Sequence, residues 1–271
     1  MNTSPIGIFD SGLGGLCAVR EFLRLLPKED LVYFGDTGRV PYGTRSKETI
    51  VRYSMQDMKF LYSHAVKAVV IACGTASSTA IDTLKQNFDI PIFGVIDPAV
   101  RAAAGATKNG KIAVIGTSAT VNSNSYANAL SRLDGGFSIT SAACPLFIPL
   151  VENGFIEKDN EVTLLVAKKY LEPIKKSGAD TLILGCTHFP LIKDIISAVL
   201  PGVTLIDTGA EAIRALSGFL SENSLLSQKS EKGNCKFFVS DKPSDFSLLA
   251  SRMLGCDLAK DAEKVNIEDY D

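Results

Sequence analysis

Short apolar runs alternate with amphipathic stretches along almost the whole chain. Ile6–Phe9, Leu31–Phe34, Ala68–Ile71, Ile92–Val95, Ile112–Ile115, Phe137–Ser141, Thr181–Leu184, Val203–Ile206 and Lys236–Val239 are brief runs rich in apolar and β-branched residues. Runs of this kind bounded by turn residues predict buried strands. Between them, apolar residues recur at helical spacing, which predicts helices from the glycines after Asp10 to about Leu26, over Lys47–Ser63, after Cys73 and after Pro98. The same spacing predicts helices from Ser118 to about Leu133, over Asn160–Lys176, over Leu191–Leu200, after Asp207 and near Phe246–Met253. Such regular alternation predicts an α/β protein of mainly parallel sheets covered by helices.

Two of these units match each other. Thr181–Pro190 reads TLILGCTHFP: four residues of strand, a glycine, then Cys186, Thr187 and His188 ahead of a helix. Ala68–Ser78 reads AVVIACGTASS, again a strand, a small residue, Cys73, then Thr75 and a helix. The C-terminal edge of a parallel sheet is where ligands bind in such folds. A free cysteine is most often a small buried hydrophobe, but two in matching settings point to two pseudo-symmetric lobes facing each other across a cleft. The expected lobes are residues 1–97 plus 208–271, carrying Asp10 and Cys73, and residues 98–207, carrying Glu152, Cys186 and His188. A thiol at a helix N-terminus is expected to have its thiolate stabilised. Two opposed thiols suit a reaction in which one takes a proton and the other gives one.

Other motifs narrow the chemistry. Asp10-Ser11-Gly12-Leu13-Gly14-Gly15 lacks the full dinucleotide-loop spacing and has no following lysine, so it reads as backbone brought close to a small anion. Asp10 on its own could be a helix cap. A zinc site needs three or four ligands, and only His64 and His188 are available; His64 reads as structural. No G-x-S-x-G elbow supports a serine hydrolase. Cys17, Cys144, Cys235 and Cys256 read as having no chemistry, and Glu152 precedes a turn where an acid is usually solvated.

Composition then removes whole classes. A chain of 271 residues with 46% hydrophobic residues and a mean hydropathy of +0.16 is well cored. No run approaches a membrane span, and the start shows no secretory pattern. Six scattered cysteines then read as reduced thiols in a cytoplasm. A net charge of −2 and a pI near 5.8 argue against a nucleic-acid partner.

Taken in order, Phe9-Asp10-Ser11-Gly12-x-Gly14-Gly15, Pro41-Tyr42-Gly43, Ala72-Cys73-x-Thr75-Ala76-Ser77, Gly94-Val95-Ile96 and Gly185-Cys186-Thr187-His188-Phe189-Pro190 resemble the glutamate racemase family. The resemblance implies a cofactor-independent enzyme without pyridoxal phosphate or metal, acting on the small molecule glutamate and feeding D-glutamate to peptidoglycan synthesis. It implies that Cys73 and Cys186 are the acid/base thiols, that Asp10 and His188 assist them respectively, and that Glu152 is a further acid nearby. Asp10, Ser11, Tyr42, Gly43, Gly74, Thr75, Thr117, Thr187 and His188 correspond to substrate-binding positions. A homodimer is compatible with it. The family usually has Asn where this chain has Gly74, so a lost amide contact and a weaker KM are expected, with Gly74→Asn lowering KM. A racemase of aspartate or another acidic amino acid, and a binding protein without turnover, are the alternatives.

Overall fold

The computed structural model describes residues 4–271. The chain runs β1 (Ile6–Asp10), α1 (Leu16–Leu25), β2 (Leu31–Gly35), a 3-10 turn (Tyr42–Thr44), α2 (Lys47–Ser63), β3 (Ala68–Ile71), α3 (Gly74–Thr79), α4 (Ile81–Asn87), β4 (Ile92–Gly94) and α5 (Ile96–Ala106). It continues through β5 (Lys111–Gly116), α6 (Ser118–Asn122), α7 (Ser125–Ser131), β6 (Ser138–Ala143), α8 (Phe147–Glu152), α9 (Glu161–Ser177) and β7 (Thr181–Leu184). A 3-10 turn (Phe189–Ile192), α10 (Lys193–Val199), β8 (Thr204–Asp207), α11 (Thr208–Glu222), β9 (Cys235–Val239), α12 (Pro243–Leu254) and β10 (Glu263–Lys264) complete it, with a last 3-10 turn at Ile267–Tyr270. Polar side chains set several helix starts: Ser46 accepts from Thr49 N at 3.3 Å, and Asn160 from Thr163 N at 3.0 Å. Gly178, at φ +69°, ends α9 as a left-handed C-cap.

The strands form two sheets, ordered β10-β9-β2-β1-β3-β4 and β6-β5-β7-β8, and every pairing is parallel. Numbered within its own half, each sheet holds the order 2-1-3-4, so the two halves repeat one topology. β9 and β10 extend only the first. Helices cover both faces, as the unbroken burial of β1, β2, β3 and β7 requires. On one side of the first sheet Ile6, Ile8, Tyr33 and Phe237 pack with Leu16, Phe22, Leu216 and Phe246. On the other, Phe9, Phe34 and Phe238 pack with Met58, Phe60 and Leu61. The second sheet is lined likewise, by Phe147, Leu171 and Phe189 on one face and Val100, Tyr126 and Leu130 on the other.

The α/β architecture with two helix-covered parallel sheets is the expected one, with local departures. The helix expected after Cys73 breaks into α3 and α4 at Ala80. The one expected to reach Leu133 breaks at Asn124, which sits at φ +54°. The helix expected over Leu191–Leu200 opens as a 3-10 turn, and its α portion starts only at Lys193. The chain does not close on α12: β10 and the Ile267–Tyr270 turn follow.

Candidate active site

In a sheet ordered 2-1-3-4 the chain leaves strand 1 toward one edge and strand 3 toward the other, which opens a crevice at the carboxyl ends of these two strands. In the first sheet those ends carry Asp10 and Cys73; in the second they carry Thr117 and Cys186. The two crevices face each other. Ser11, Tyr42, Gly43, Cys73, Gly74, Thr75, Thr117, Glu152, Cys186, Thr187 and His188 line one cavity with Val40, Pro41, Ile148 and Gly185. Its free space is about 30 Å³, room for a water or so and far too little for an amino acid, so the edges must part for a ligand to enter. Lys and Arg are absent from this lining. Hydroxyls and backbone amides are the donors available to an anion.

Glycines allow the close approach. A Cβ at Gly14 would lie 2.0 Å from Thr187 Oγ1, and one at Gly43 2.8 Å from Thr117 Cβ. One at Gly74 would lie 2.5 Å from the Gly185 carbonyl oxygen, a backbone atom that cannot rotate away. Position 74 is therefore not an open spot missing an amide, as the sequence comparison with Asn suggests. Here the two strand ends touch. Thr75 Oγ1 and Thr117 Oγ1 add a hydrogen bond across the seam at 3.1 Å.

The thiols sit in unlike surroundings. Cys73 is the N-cap of α3; its sulfur accepts from Ala76 N at 3.4 Å and donates to Ser11 Oγ at 3.4 Å. The expected lowering at a helix N-terminus does not prevail. Burial, and then the charge of Asp10, push the Cys73 thiol up to about 12, against its hydrogen bonds with Ser11 and Ala76. Cys186 caps no α-helix; a turn closed by Phe189 N on the Cys186 carbonyl follows it. Its sulfur instead faces His188 Nδ1 at 3.8 Å, and His188 Nε2 reaches Glu152 Oε1 at 3.2 Å. Burial disfavours the imidazolium, yet the hydrogen bonds to Cys186 and Glu152 and the charges of Cys186 and Asp10 hold His188 up to about 10. At neutral pH the ring thus presents an N–H to the sulfur and another to the carboxylate.

Asp10 is fully buried and lies outside the cavity lining. One of its oxygens accepts from Gly12 N at 2.9 Å and the other from Thr187 Oγ1 at 3.4 Å. Burial raises it above the ordinary carboxylate range, with His188 and the Gly15 and Gly12 amides opposing. Tyr42 lines the cavity, but its hydroxyl is bonded to the buried Asp36 and Asp57. His64 ends α2, with Nδ1 3.0 Å from the Phe60 carbonyl, well away from this site. Sequence reasoning missed Val40 and Ile148, which with Pro41 also wall an adjoining, mainly apolar cavity of about 280 Å³; the only signal for Val40 was its place beside Pro41-Tyr42-Gly43, and Ile148 had none. A larger cavity of about 700 Å³ lies elsewhere and has neither cysteine nor histidine in its lining. Among the described residues no group of three or more His, Cys, Asp or Glu side chains could hold a metal ion, and no helix is long and apolar enough to cross a membrane.

Two parallel α/β sheets of one topology, each delivering a cysteine to a shared cavity, define a site that can address a carbon atom from two faces. The chain belongs to the Asp/Glu/Hydantoin racemase family, whose pattern it matches over residues 18–216. It is 46% identical over 269 residues to the glutamate racemase of Geobacter metallireducens, covering 99% of this chain and 98% of that one. Identity to the glutamate racemase of a Sulfurihydrogenibium species is 47% over 266 residues, 98% of each chain. The crystal structure of Francisella tularensis glutamate racemase in complex with D-glutamate superposes with a TM-score of 0.92 at 37% identity, covering 100% of both chains.

Proposed function

We propose that this chain interconverts L- and D-glutamate by two-base proton transfer between Cys73 and Cys186. The observation that carries the reading is the placement of the two sulfurs at equivalent strand ends of two equivalent sheets, lining one cavity. The near-complete likeness to glutamate racemases, one of them in complex with D-glutamate, supports glutamate as substrate over aspartate. In this reading the lobes are residues 1–97 with 208–271 and residues 98–207, a division supported by which strands share a sheet.

Inverting an α-carbon needs a base on one face and an acid on the other. Cys186 accepts the α-proton of L-glutamate while the Cys73 thiol, kept protonated by its surroundings, donates to the opposite face. The reverse direction exchanges the roles. His188 and Glu152 support charge at Cys186, whereas the charge of Asp10 keeps Cys73 in its protonated, proton-donating form. Ser11, Gly43, Thr75, Thr117 and Thr187, with the amide of Gly74, hold the substrate carboxylates and the developing negative charge by fixed dipoles. The chemistry needs no pyridoxal phosphate or metal, and D-glutamate so made would supply peptidoglycan synthesis in the cytoplasm.

Incubation with L-glutamate in D2O should give D-glutamate carrying deuterium at the α-carbon. Cys73→Ser and Cys186→Ser should each lower racemisation by about a hundredfold or more, the usual worth of a positioned base. Near-normal racemisation by either variant, or equal turnover of aspartate, would reject this assignment.

A further inference from the structure

The segment after β2 walls the cavity through Val40–Gly43, and a buried polar cluster is joined to it through Arg39 and Tyr42. Arg39 donates through Nε to Asp36 Oδ2 at 2.7 Å and through Nη2 to Asp57 Oδ1 at 3.1 Å. Its guanidinium carbon lies 4.0 Å from the centre of the Tyr53 ring, and its side chain is 10% exposed. Asp36 and Asp57 are fully buried. The Tyr42 hydroxyl reaches both, contacting Asp36 Oδ2 and Asp57 Oδ2 at 2.9 Å.

Counting protons settles the direction of these bonds. A phenol has one hydrogen to donate, so two carboxylate contacts require that one acid supply its own. Asp57 is that acid: its Oδ2 meets only the Tyr42 hydroxyl, whereas Asp36 Oδ2 also accepts from Arg39 Nε, and burial, and next the charge of Asp36, hold Asp57 well above the usual carboxylate range, against Arg39 and Tyr42. The chain of donors then runs from Asp57 to Tyr42 to Asp36, with Arg39 balancing the remaining charge. Arg39 also reaches Gln56 and Glu268, and the Tyr42 hydroxyl has no hydrogen left for a ligand.

We propose that Asp57, Tyr42, Asp36 and Arg39 form one positioning unit that fixes the Val40–Gly43 wall against the substrate, with Asp57 acting as a neutral hydrogen-bond donor. This rests on the cavity being the glutamate site. It distinguishes Tyr42, whose backbone segment shapes the pocket, from a residue that binds substrate through its hydroxyl.

The test compares Asp57→Asn, which keeps a donor and an acceptor without charge, with Asp57→Ala and Tyr42→Phe, which break the relay. Asp57→Asn should keep KM and kcat within about twofold of wild type. Asp57→Ala and Tyr42→Phe should raise the KM for glutamate about tenfold, the worth of one buried hydrogen bond, with kcat within about threefold. Iodoacetamide labelling of Cys73 and Cys186, read by peptide mass spectrometry, should quicken severalfold in those two variants but not in Asp57→Asn. If Asp57→Ala does not fold, Tyr42→Phe carries the comparison. The proposal is overturned if Asp57→Asn is as impaired as Tyr42→Phe, or if the broken-relay variants keep wild-type KM and labelling. Labelling is read without turnover, so a wild-type protein that fails to exchange the glutamate α-proton sinks the racemase reading and leaves this one standing or falling on its own measurement.

Discussion

Gly74 offers the sharpest test of the closed geometry. A methyl group there would sit 2.5 Å from the Gly185 carbonyl oxygen, about an ångström inside an ordinary contact. The obstacle is backbone at the end of β7, so relief must come from parting the two sheet edges. Overpacking of this kind costs about 1–3 kcal/mol, which is roughly a five- to hundredfold loss of the closed arrangement. Closure brings both sulfurs to one substrate carbon, so the loss should appear in kcat/KM. Gly74→Ala and Gly74→Asn should both lose kcat/KM in that range, within about threefold of each other, because the β-carbon causes the damage and the amide adds little. Thermal unfolding should shift by only a few degrees, since neither sheet's own core is touched. Racemisation of L- and D-glutamate by both variants, followed by circular dichroism, is the assay. A Gly74→Asn variant with unchanged or raised kcat/KM would refute the reasoning, and a lowered KM with it would restore the lost-amide expectation.

Three further outcomes follow from the site. His188 is raised from 6.5 to about 10, so its stabilising contribution is complete below pH 6.5 and disappears as pH climbs toward 10; the difference in Tm between wild type and His188→Asn should shrink over that window. Glu152→Gln removes one of the groups that raise His188, so the alkaline limb of the pH–rate profile should move to lower pH, and an unmoved limb would separate Glu152 from the proton chemistry. Dialysis against a chelator and a carbonyl-trapping reagent should leave the rate intact, because the described residues offer no metal-binding group and the cavity lining has no lysine to hold pyridoxal phosphate; loss restored by added metal or pyridoxal phosphate would contradict the mechanism.

Much of this was legible in the sequence, for identifiable reasons. Strand ends such as Ala68–Cys73 and Thr181–Cys186 announce themselves by an apolar run, a small residue and then polar groups. Lys47–Ser63 has a strong cap and regular spacing, and its helix spans those residues. The break at Ala80 carries no Gly or Pro to mark it, and Glu263–Lys264 is too short and polar to read as a strand. Asp57 lies within the helix expected over Lys47–Ser63, but its burial against Arg39 and Tyr42 involves residues outside that helix. The rise of Cys73 depends on burial and on Asp10, groups that meet only once β1 and β3 lie side by side. Why position 74 is glycine depends on Gly185, far along the chain.

The order of strands has a consequence for how the protein is made. All four strands of the second sheet lie within residues 111–207, one continuous stretch, whereas the first sheet draws β9 and β10 from beyond residue 234. During synthesis the second sheet is therefore complete while β2 still ends the first. Leu31–Gly35, buried at all five positions in the finished fold, is then a bare apolar edge, the kind of strand that recruits other chains. A ribosome stalled between Asn223 and Asn234 would hold such an edge open, and only the arrival of Cys235–Val239 alongside β2 closes it.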